Sequence, residues 1–258
     1  MIVAAALCPA PPLLVRVLTG AQQVAEDLRT ACLDSVAEIM AAAPDVIAVV
    51  GAAERTSTWD GASSLNVASF APGLANGSVN RGPVGSTGAA DLPPPLGVGA
   101  WLLDQARQTT HAGQAGQAGQ AGWQPECVLQ SVAYDEPPGR CADIGARLAN
   151  LAGTAGRVAL LVMADGSTRR GLRAPGYLDE RSIGFDAEVE QAVRSGQLEA
   201  LLAIDPARAA DLMATGRPAW QVLAGALAGR KVSSEVRYCD DPFGVAYLVA
   251  SFRVRQQP

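Results

Sequence analysis

The densest group of polar side chains in the sequence directly follows a predicted buried strand at residues 158–163. The group comprises Asp165, Ser167, Arg169 and Arg170. Paired guanidinium groups bind carboxylates and other anions, and a carboxylate beside a hydroxyl can serve hydrolysis or group transfer. The alternative is a solvated turn held by a salt bridge. The pattern favours the solvated turn, and it leaves anion binding, with Asp165 and Ser167 as catalytic candidates, as the functional alternative.

Four further residues are candidates for ligand binding. Cys8 and Ala10 follow the first predicted strand, Glu54 follows the second, and Tyr177 follows a Pro-Gly pair. Parallel strands place ligands outside their carboxyl ends, so the loops after these strands and the loop containing Asp165 should converge on one cleft. Cys8 is either a reactive thiol or a small buried hydrophobe. Tyr177 either lines the cleft or packs on it.

Three other carboxylates have a structural and a catalytic interpretation. Asp186 stands at the predicted start of a helix, where a negative charge is stabilising. Asp240 and Asp241 precede a predicted turn, and Asp is a common turn residue. The structural role is favoured over acid–base catalysis for all three.

The scarcity of histidine and lysine restricts the chemistry further. His111 is the only histidine of the 258 residues, and it lies beside a low-complexity stretch. A Ser-His-Asp triad and an ordinary zinc or iron site therefore lack their imidazoles. Lys231, the only lysine, follows Arg230 and precedes Val232, so the phosphate-binding Walker loop is absent.

Composition restricts the partners and the compartment. With 20 basic and 25 acidic residues the formal charge is -5, which argues against nucleic-acid binding. The five cysteines form no CxxC pair, as expected of reduced thiols. Apolar runs stay well short of the roughly 20 residues needed to span a bilayer, and the N-terminal run is too short for a signal peptide. We expect a cytoplasmic protein without membrane or nucleic-acid partners.

The elements that must position these residues follow an α/β pattern. Strands are predicted at residues 2–7, 46–50, 67–70, 127–133, 158–163, 232–238 and 245–254. Helices are predicted at residues 20–43, 96–107, 142–151, 185–194 and 206–228. The opening strand–helix–strand order predicts a crossover with parallel pairing, and the last two strands should form an antiparallel hairpin.

A single domain accounts for this order of elements. We predict one three-layer αβα domain over residues 1–258, with a mixed, mainly parallel central sheet. Residues 52–95 are expected to be irregular apart from the strand at 67–70. Residues 112–123 contain three Gly-Gln-Ala copies, which predict a low-complexity surface insertion and not a domain boundary.

Three sets of residues resemble one protein family. The first is residues 8–12, Cys-Pro-Ala-Pro-Pro, and the second is residues 164–168, Ala-Asp-Gly-Ser-Thr, after a buried strand. The third set comprises residues 174–181, 185–186 and 218–223, together with residues 240–245. Together they resemble the class III extradiol ring-cleavage dioxygenases, in their subunit-B-like (LigB-type) branch and within it an uncharacterised actinobacterial subgroup.

The resemblance implies the fold but departs from the family at its metal. The family holds Fe(II) with two histidines and one carboxylate and uses a further histidine as acid–base. Ala10 stands at the position of the first ligand, Glu54 follows the strand where the second belongs, and Thr168 replaces the acid–base histidine. We therefore expect no metal and no cofactor.

These observations lead to a hypothesis and its rivals. The chain is predicted to be an iron-free, non-catalytic relative of extradiol dioxygenases that binds a small anionic or aromatic ligand or acts in regulation. The first alternative is a retooled hydrolase or transferase that uses carboxylate, serine and arginine chemistry or a carboxylate-bound Mg²⁺. The second is a non-catalytic subunit of a dioxygenase-like complex, and the protein partner is then either a second copy or that complex.

Overall fold

A computed structural model describes five parts of the chain. They are residues 1–19, 25–59, 92–113, 125–153 and 156–255. The strand predicted at 67–70 lies outside these residues, as does the predicted insertion at 112–123 apart from its first two positions.

Strands and helices alternate through most of the described chain. The strands are β1 (Ile2–Cys8), β2 (Val46–Ala53), β3 (Ser57–Trp59), β4 (Glu126–Ala133), β5 (Val158–Met163), β6 (Val232–Asp240) and β7 (Tyr247–Val254). The helices are α1 (Arg16–Thr19), α2 (Glu26–Ala41), α3 (Pro94–Gly113), α4 (Pro138–Leu148), α5 (Arg181–Ser195), α6 (Glu199–Leu202), α7 (Pro206–Asp211) and α8 (Arg217–Leu227), with a 3-10 turn at Pro12–Leu14. No helix in these ranges is both long and apolar enough to cross a bilayer.

The strands form one mixed sheet in the order β3-β4-β2-β5-β1-β7-β6. The four strands from β4 to β1 are parallel, whereas β3, β7 and β6 add antiparallel at the edges. The predicted single α/β domain with a mixed sheet is therefore confirmed, and the parallel part is its centre. The final hairpin, β6–β7, is also confirmed.

One predicted pairing is wrong, and the fully apolar β5 explains it. β1 and β2 are parallel, but β5 lies between them and pairs with both. All six residues of β5 are buried and apolar, a composition suited to a strand covered on both faces. The crossover from β1 to β2 therefore skips one position in the sheet.

Helices cover both faces of the sheet. Successive side chains of β1 alternate between the layers: Ala4, Ala6 and Cys8 pack on the side of α2 and α3, while Ala5 and Leu7 pack on the side of α4, α5 and α8. This alternation is the two-residue period of a strand. It places Cys8 and Ala10 in the same layer as α2.

Two predicted elements differ from the structure because of non-local contacts. The helix predicted at 206–228 is divided into α7 and α8, and Gly216 lies in the break. A Cβ atom on Gly216 would lie 2.3 Å from the carbonyl oxygen of Asp165, so this close approach requires glycine. The region predicted to be irregular at 52–95 contains β3, which pairs with β4.

Candidate functional site

The carboxyl ends of the parallel strands form one edge of the sheet, as the sequence predicted. The backbone of Asp165 is fixed at this edge from two directions. The Ala164 N–H donates to the carbonyl oxygen of Cys8 at 2.8 Å, which continues the β1–β5 ladder, and the Gly216 N–H donates to the carbonyl oxygen of Asp165 at 3.1 Å. The start of the loop after β5 is thus an ordered extension of the sheet.

The carboxyl group of Asp165 lacks a cationic partner. Its Oδ1 accepts a hydrogen bond from the backbone N–H of Ala10 at 2.9 Å, and none of the ion pairs within the described chain includes it. Burial raises the pKa of Asp165 to about 6, and the Ala10 hydrogen bond lowers it only in part. A carboxyl group with this pKa exchanges protons near neutral pH.

Two tyrosines lie within electrostatic range of this group, and one of them is also within range of Glu54. Burial raises the pKa of the Tyr247 phenol, and the charge of Asp165 adds to the effect. The pKa of Tyr134 is also raised, by burial and then by the charges of Glu54 and Asp165. Both phenols therefore remain protonated and can donate a hydrogen bond or present an aromatic ring.

The two tyrosines were missed in the sequence. Tyr134 directly follows β4, so the rule that placed ligand-binding residues at strand ends could have found it. Tyr247 is the first residue of β7. That strand is antiparallel to β1, and only this pairing brings its amino end to the carboxyl edge.

Cys8 and Ala10 contribute in other ways than by reactive side chains. Cys8 is fully buried. The pKa of the neighbouring Cys32 is raised well above its usual value by burial and by a hydrogen bond with the Cys8 thiol. This environment favours the interpretation of Cys8 as a small buried hydrophobe. Ala10 supplies its backbone N–H to Asp165.

Ser167 faces a different partner from Asp165. Its Oγ donates to Oδ2 of Asp186 at 2.5 Å and its backbone N–H donates to Oδ1 at 3.0 Å. Ser167 has no solvent exposure, so its hydroxyl has a structural role here. Burial raises the pKa of Asp186, although both Ser167 hydrogen bonds lower it. Asp186 lies beyond the first turn of α5, which begins at Arg181, so the prediction of a helix N-terminal charge is wrong.

Arg169 is bonded within the loop after β5, and Tyr177 is exposed on it. The Nε of Arg169 donates to the carbonyl oxygen of Gly176 at 2.8 Å, and its Nη1 donates to that of Asp211 at 2.7 Å. Tyr177 is 75% exposed and has a positive φ of 58°. These contacts hold the loop between β5 and α5, and the role of Arg169 and Tyr177 in a common cleft stays a prediction.

Arg170 is also bonded within the protein. Its Nε lies 2.7 Å from Oδ2 of Asp241 and 3.9 Å from Oδ2 of Asp186. The Gly244 N–H donates to the carbonyl oxygen of Asp241 at 2.9 Å, which confirms that this aspartate belongs to a turn. The paired guanidinium groups predicted to bind an anion are thus both engaged by acceptors of the chain.

The residues at the carboxyl edge do not fit the iron centre of the resembled family. Asp165 and Glu54 supply carboxylates, but Ala10 and Thr168 supply no imidazole. In the parts of the chain that the structure describes, no group of three His, Cys, Asp or Glu side chains could hold a metal. Pro95, near the start of α3, packs against Gly51 at the carboxyl edge: a Cβ atom built on Gly51 would lie 2.6 Å from the Cβ of Pro95. His111 is 16 residues further along α3. At 1.5 Å per residue the backbone of His111 is about 24 Å from that edge.

Comparison with known proteins identifies the fold. No family model and no curated protein matches the chain. A solved structure described as the crystal structure of uncharacterized protein JW3007 from Escherichia coli K12 is similar, with a TM-score of 0.52 and 13% identity. The match covers 97% of this chain and 99% of that one. The fold and the comparison together define the class of protein: a single α/β domain.

Proposed function

We propose that the chain binds a small aromatic molecule at the carboxyl edge of its sheet, on a scaffold like that of the extradiol dioxygenases but without their iron. The observation that carries the proposal is the isolated carboxyl group of Asp165. Its only hydrogen bond in the described structure comes from Ala10, and burial raises its pKa to about 6. Groups with such perturbed pKa values are concentrated at functional sites.

The surroundings favour a neutral aromatic ligand over an anion. Tyr134 and Tyr247 provide phenol groups within electrostatic range of Asp165, and a ligand hydroxyl or N–H can donate to the carboxylate. The negative charges of Asp165 and Glu54 repel a second anion. The anionic alternative depended on Arg169 and Arg170, which are engaged elsewhere.

Ligand-dependent stability tests this proposal. Catechol serves as the neutral aromatic probe, 3,4-dihydroxybenzoate as its anionic counterpart and cyclohexane-1,2-diol as the non-aromatic control. We expect catechol to raise Tm with increasing concentration and the other two to do so less. Asp165→Asn should weaken catechol binding about tenfold or more, since a hydrogen bond to a charged group contributes about 1.5–3 kcal/mol.

A matched variant separates this effect from a general loss of charge. Asp179→Asn removes a carboxylate that is bonded to Arg181 in the loop before α5, and it should leave catechol binding unchanged. The proposal is contradicted if catechol does not raise the Tm of the wild-type protein, or if catechol binds the wild type and Asp165→Asn with equal affinity.

A second candidate function is acid–base catalysis, and the pKa of Asp165 is the observation that favours it. Catalysis near neutral pH without histidine requires a carboxyl group with a strongly shifted pKa, and Asp165 meets this requirement. The pH–rate profile for hydrolysis of p-nitrophenyl acetate should then change with an apparent pKa near 6, and Asp165→Asn should remove this pH dependence. Turnover that is absent, or indifferent to this substitution, contradicts an enzyme of this class.

A further inference from the structure

A cavity lies between α5, α8 and the β6–β7 hairpin. Its volume is about 240 Å³, and its lining does not include Asp165. The apolar part of the lining includes Ile183, Val189 and Leu248, and the polar part includes Asp186 and Trp220. Because drug-sized ligand pockets occupy about 300–1,000 Å³, this cavity suits a smaller molecule.

The charged side chains of the lining are mostly acidic. Four carboxylates, those of Asp186, Glu190, Asp240 and Asp241, line the cavity with a single cation, Arg170. Arg170 is closest to Asp241, at 2.7 Å, and Glu190 is paired at 2.5 Å with an arginine one turn further along α5. Two carboxylates therefore remain without a close ion pair within the described chain.

Asp186 is the least exposed of the four carboxylates. Its nearest guanidinium nitrogen, Nε of Arg170, is 3.9 Å away. Burial raises the pKa of Asp186 in spite of the two hydrogen bonds from Ser167. A positively charged ligand group beside it would remove this penalty.

Trp220 supplies an independent sign of a missing partner. The residue is 1% exposed and lines the cavity, yet its indole Nε1–H has no hydrogen-bond acceptor in the described part of the chain. Buried indole N–H groups usually find a partner, and an orphaned one costs stability. An acceptor atom on a bound molecule would satisfy it, and the indole ring also favours a nearby cation.

We propose that this cavity binds a small organic ammonium ion with an apolar or aromatic body and one hydrogen-bond acceptor. The ammonium group lies towards Asp186 and Asp240, the body packs on Ile183 and Leu248, and the acceptor receives the indole N–H of Trp220. The lining does not include Asp165, so the proposal does not depend on the function proposed at the carboxyl edge, although Tyr247 also lines this cavity.

Calorimetry with matched probes tests the ligand class. Tyramine carries an ammonium group and a phenol oxygen, and tyrosol replaces only the ammonium by a hydroxyl group. Binding is measured in the Asp165→Asn background so that phenol binding at the carboxyl edge does not contribute. We expect tyramine to bind at least tenfold more tightly than tyrosol. 2-Phenylethylammonium, which lacks the phenol oxygen, should be intermediate.

Variants on α5 locate the site. Asp186→Asn should weaken tyramine binding about tenfold, whereas Glu188→Gln, the same change of charge on the outer side of the helix, should not. Ala187 lines the cavity and is itself exposed, so Ala187→Phe fills the space without disturbing the core and should abolish binding. This variant decides the question where Asp186→Asn fails to fold.

The outcomes against the proposal are distinct from failure at the carboxyl edge. Equal affinity for tyramine and tyrosol, absence of tyramine binding, or tyramine binding that survives Ala187→Phe overturns the cavity proposal. None of these results affects catechol binding that depends on Asp165. Loss of catechol binding with tyramine binding intact overturns only the function proposed for the edge.

Discussion

Replacing Asp165 by asparagine should stabilise the protein at alkaline pH and not at acid pH. Asparagine keeps the shape of the side chain and the oxygen that accepts the Ala10 N–H bond, but it removes the charge. Burial raises the pKa of Asp165 from 3.8 to about 6. At 1.36 kcal/mol per pKa unit this shift corresponds to about 3 kcal/mol. Because the residue is partly exposed, we expect an observed effect of about 2 kcal/mol.

The sign follows from proton linkage. The folded protein binds this proton more tightly than the unfolded chain, so the ionised carboxyl group disfavours the folded state. The penalty is absent below about pH 4, grows between pH 4 and 6, and is constant above pH 6. Asp165→Asn should therefore match wild type near pH 4 and have a Tm about 4–8 °C higher at pH 8, given about 2–4 °C per kcal/mol for a domain of this size.

Differential scanning calorimetry at both pH values measures this difference directly. Asp179→Asn is the control of opposite sign, because hydrogen bonds from Arg181 lower the pKa of Asp179 to about 2, and it should not stabilise the protein at pH 8. A Tm difference between Asp165→Asn and wild type that is the same at both pH values would refute the reasoning. So would a lower Tm for the variant at pH 8.

Three further predictions concern packing, the buried serine and association. Gly145→Ala should prevent stable folding, as measured in a thermal melt, because the added Cβ would lie 2.1 Å from a carbonyl oxygen of α8. Gly139→Ala should be tolerated, because a Cβ added there would have no neighbouring atom within 4 Å. Ser167→Ala should lower the free energy of unfolding by about 1–3 kcal/mol in urea titrations, since Asp186 loses a buried donor. Leu172 is 81% exposed, so Leu172→Asp should leave Tm unchanged. If the protein is a homodimer that associates through this residue, the substitution should weaken the dimer, as measured by light scattering. A dimer that persists in the variant contradicts an interface at Leu172.

The class of fold was predictable because its signals are local. β2 and β5 are continuous apolar runs bounded by turn residues, and both were found within three residues of their ends. The hairpin of β6 and β7 follows from two runs joined at a turn. The position of β5 between β1 and β2 had no local signal, because the sequence of a strand does not specify its neighbours in the sheet.

The candidate site was predictable only in part, for the same reason. The rule that ligands bind beyond the carboxyl ends of parallel strands pointed to Ala10, Glu54 and Asp165. It could not show that Ser167, two positions from Asp165, would be bonded to Asp186 on α5. It also missed Tyr247, which reaches the edge through antiparallel pairing.

The sequence by itself determined which chemistry was scarce: one histidine and one lysine leave mainly carboxylates, phenols and thiols as the groups available for acid–base work. Only the tertiary structure decided which carboxyl group is unusual. The pKa of Asp165 depends on burial and on the lack of a nearby cation, and both depend on residues distant in the chain. Residue types are fixed in the sequence, whereas solvation and electrostatic environment exist only once the chain has folded.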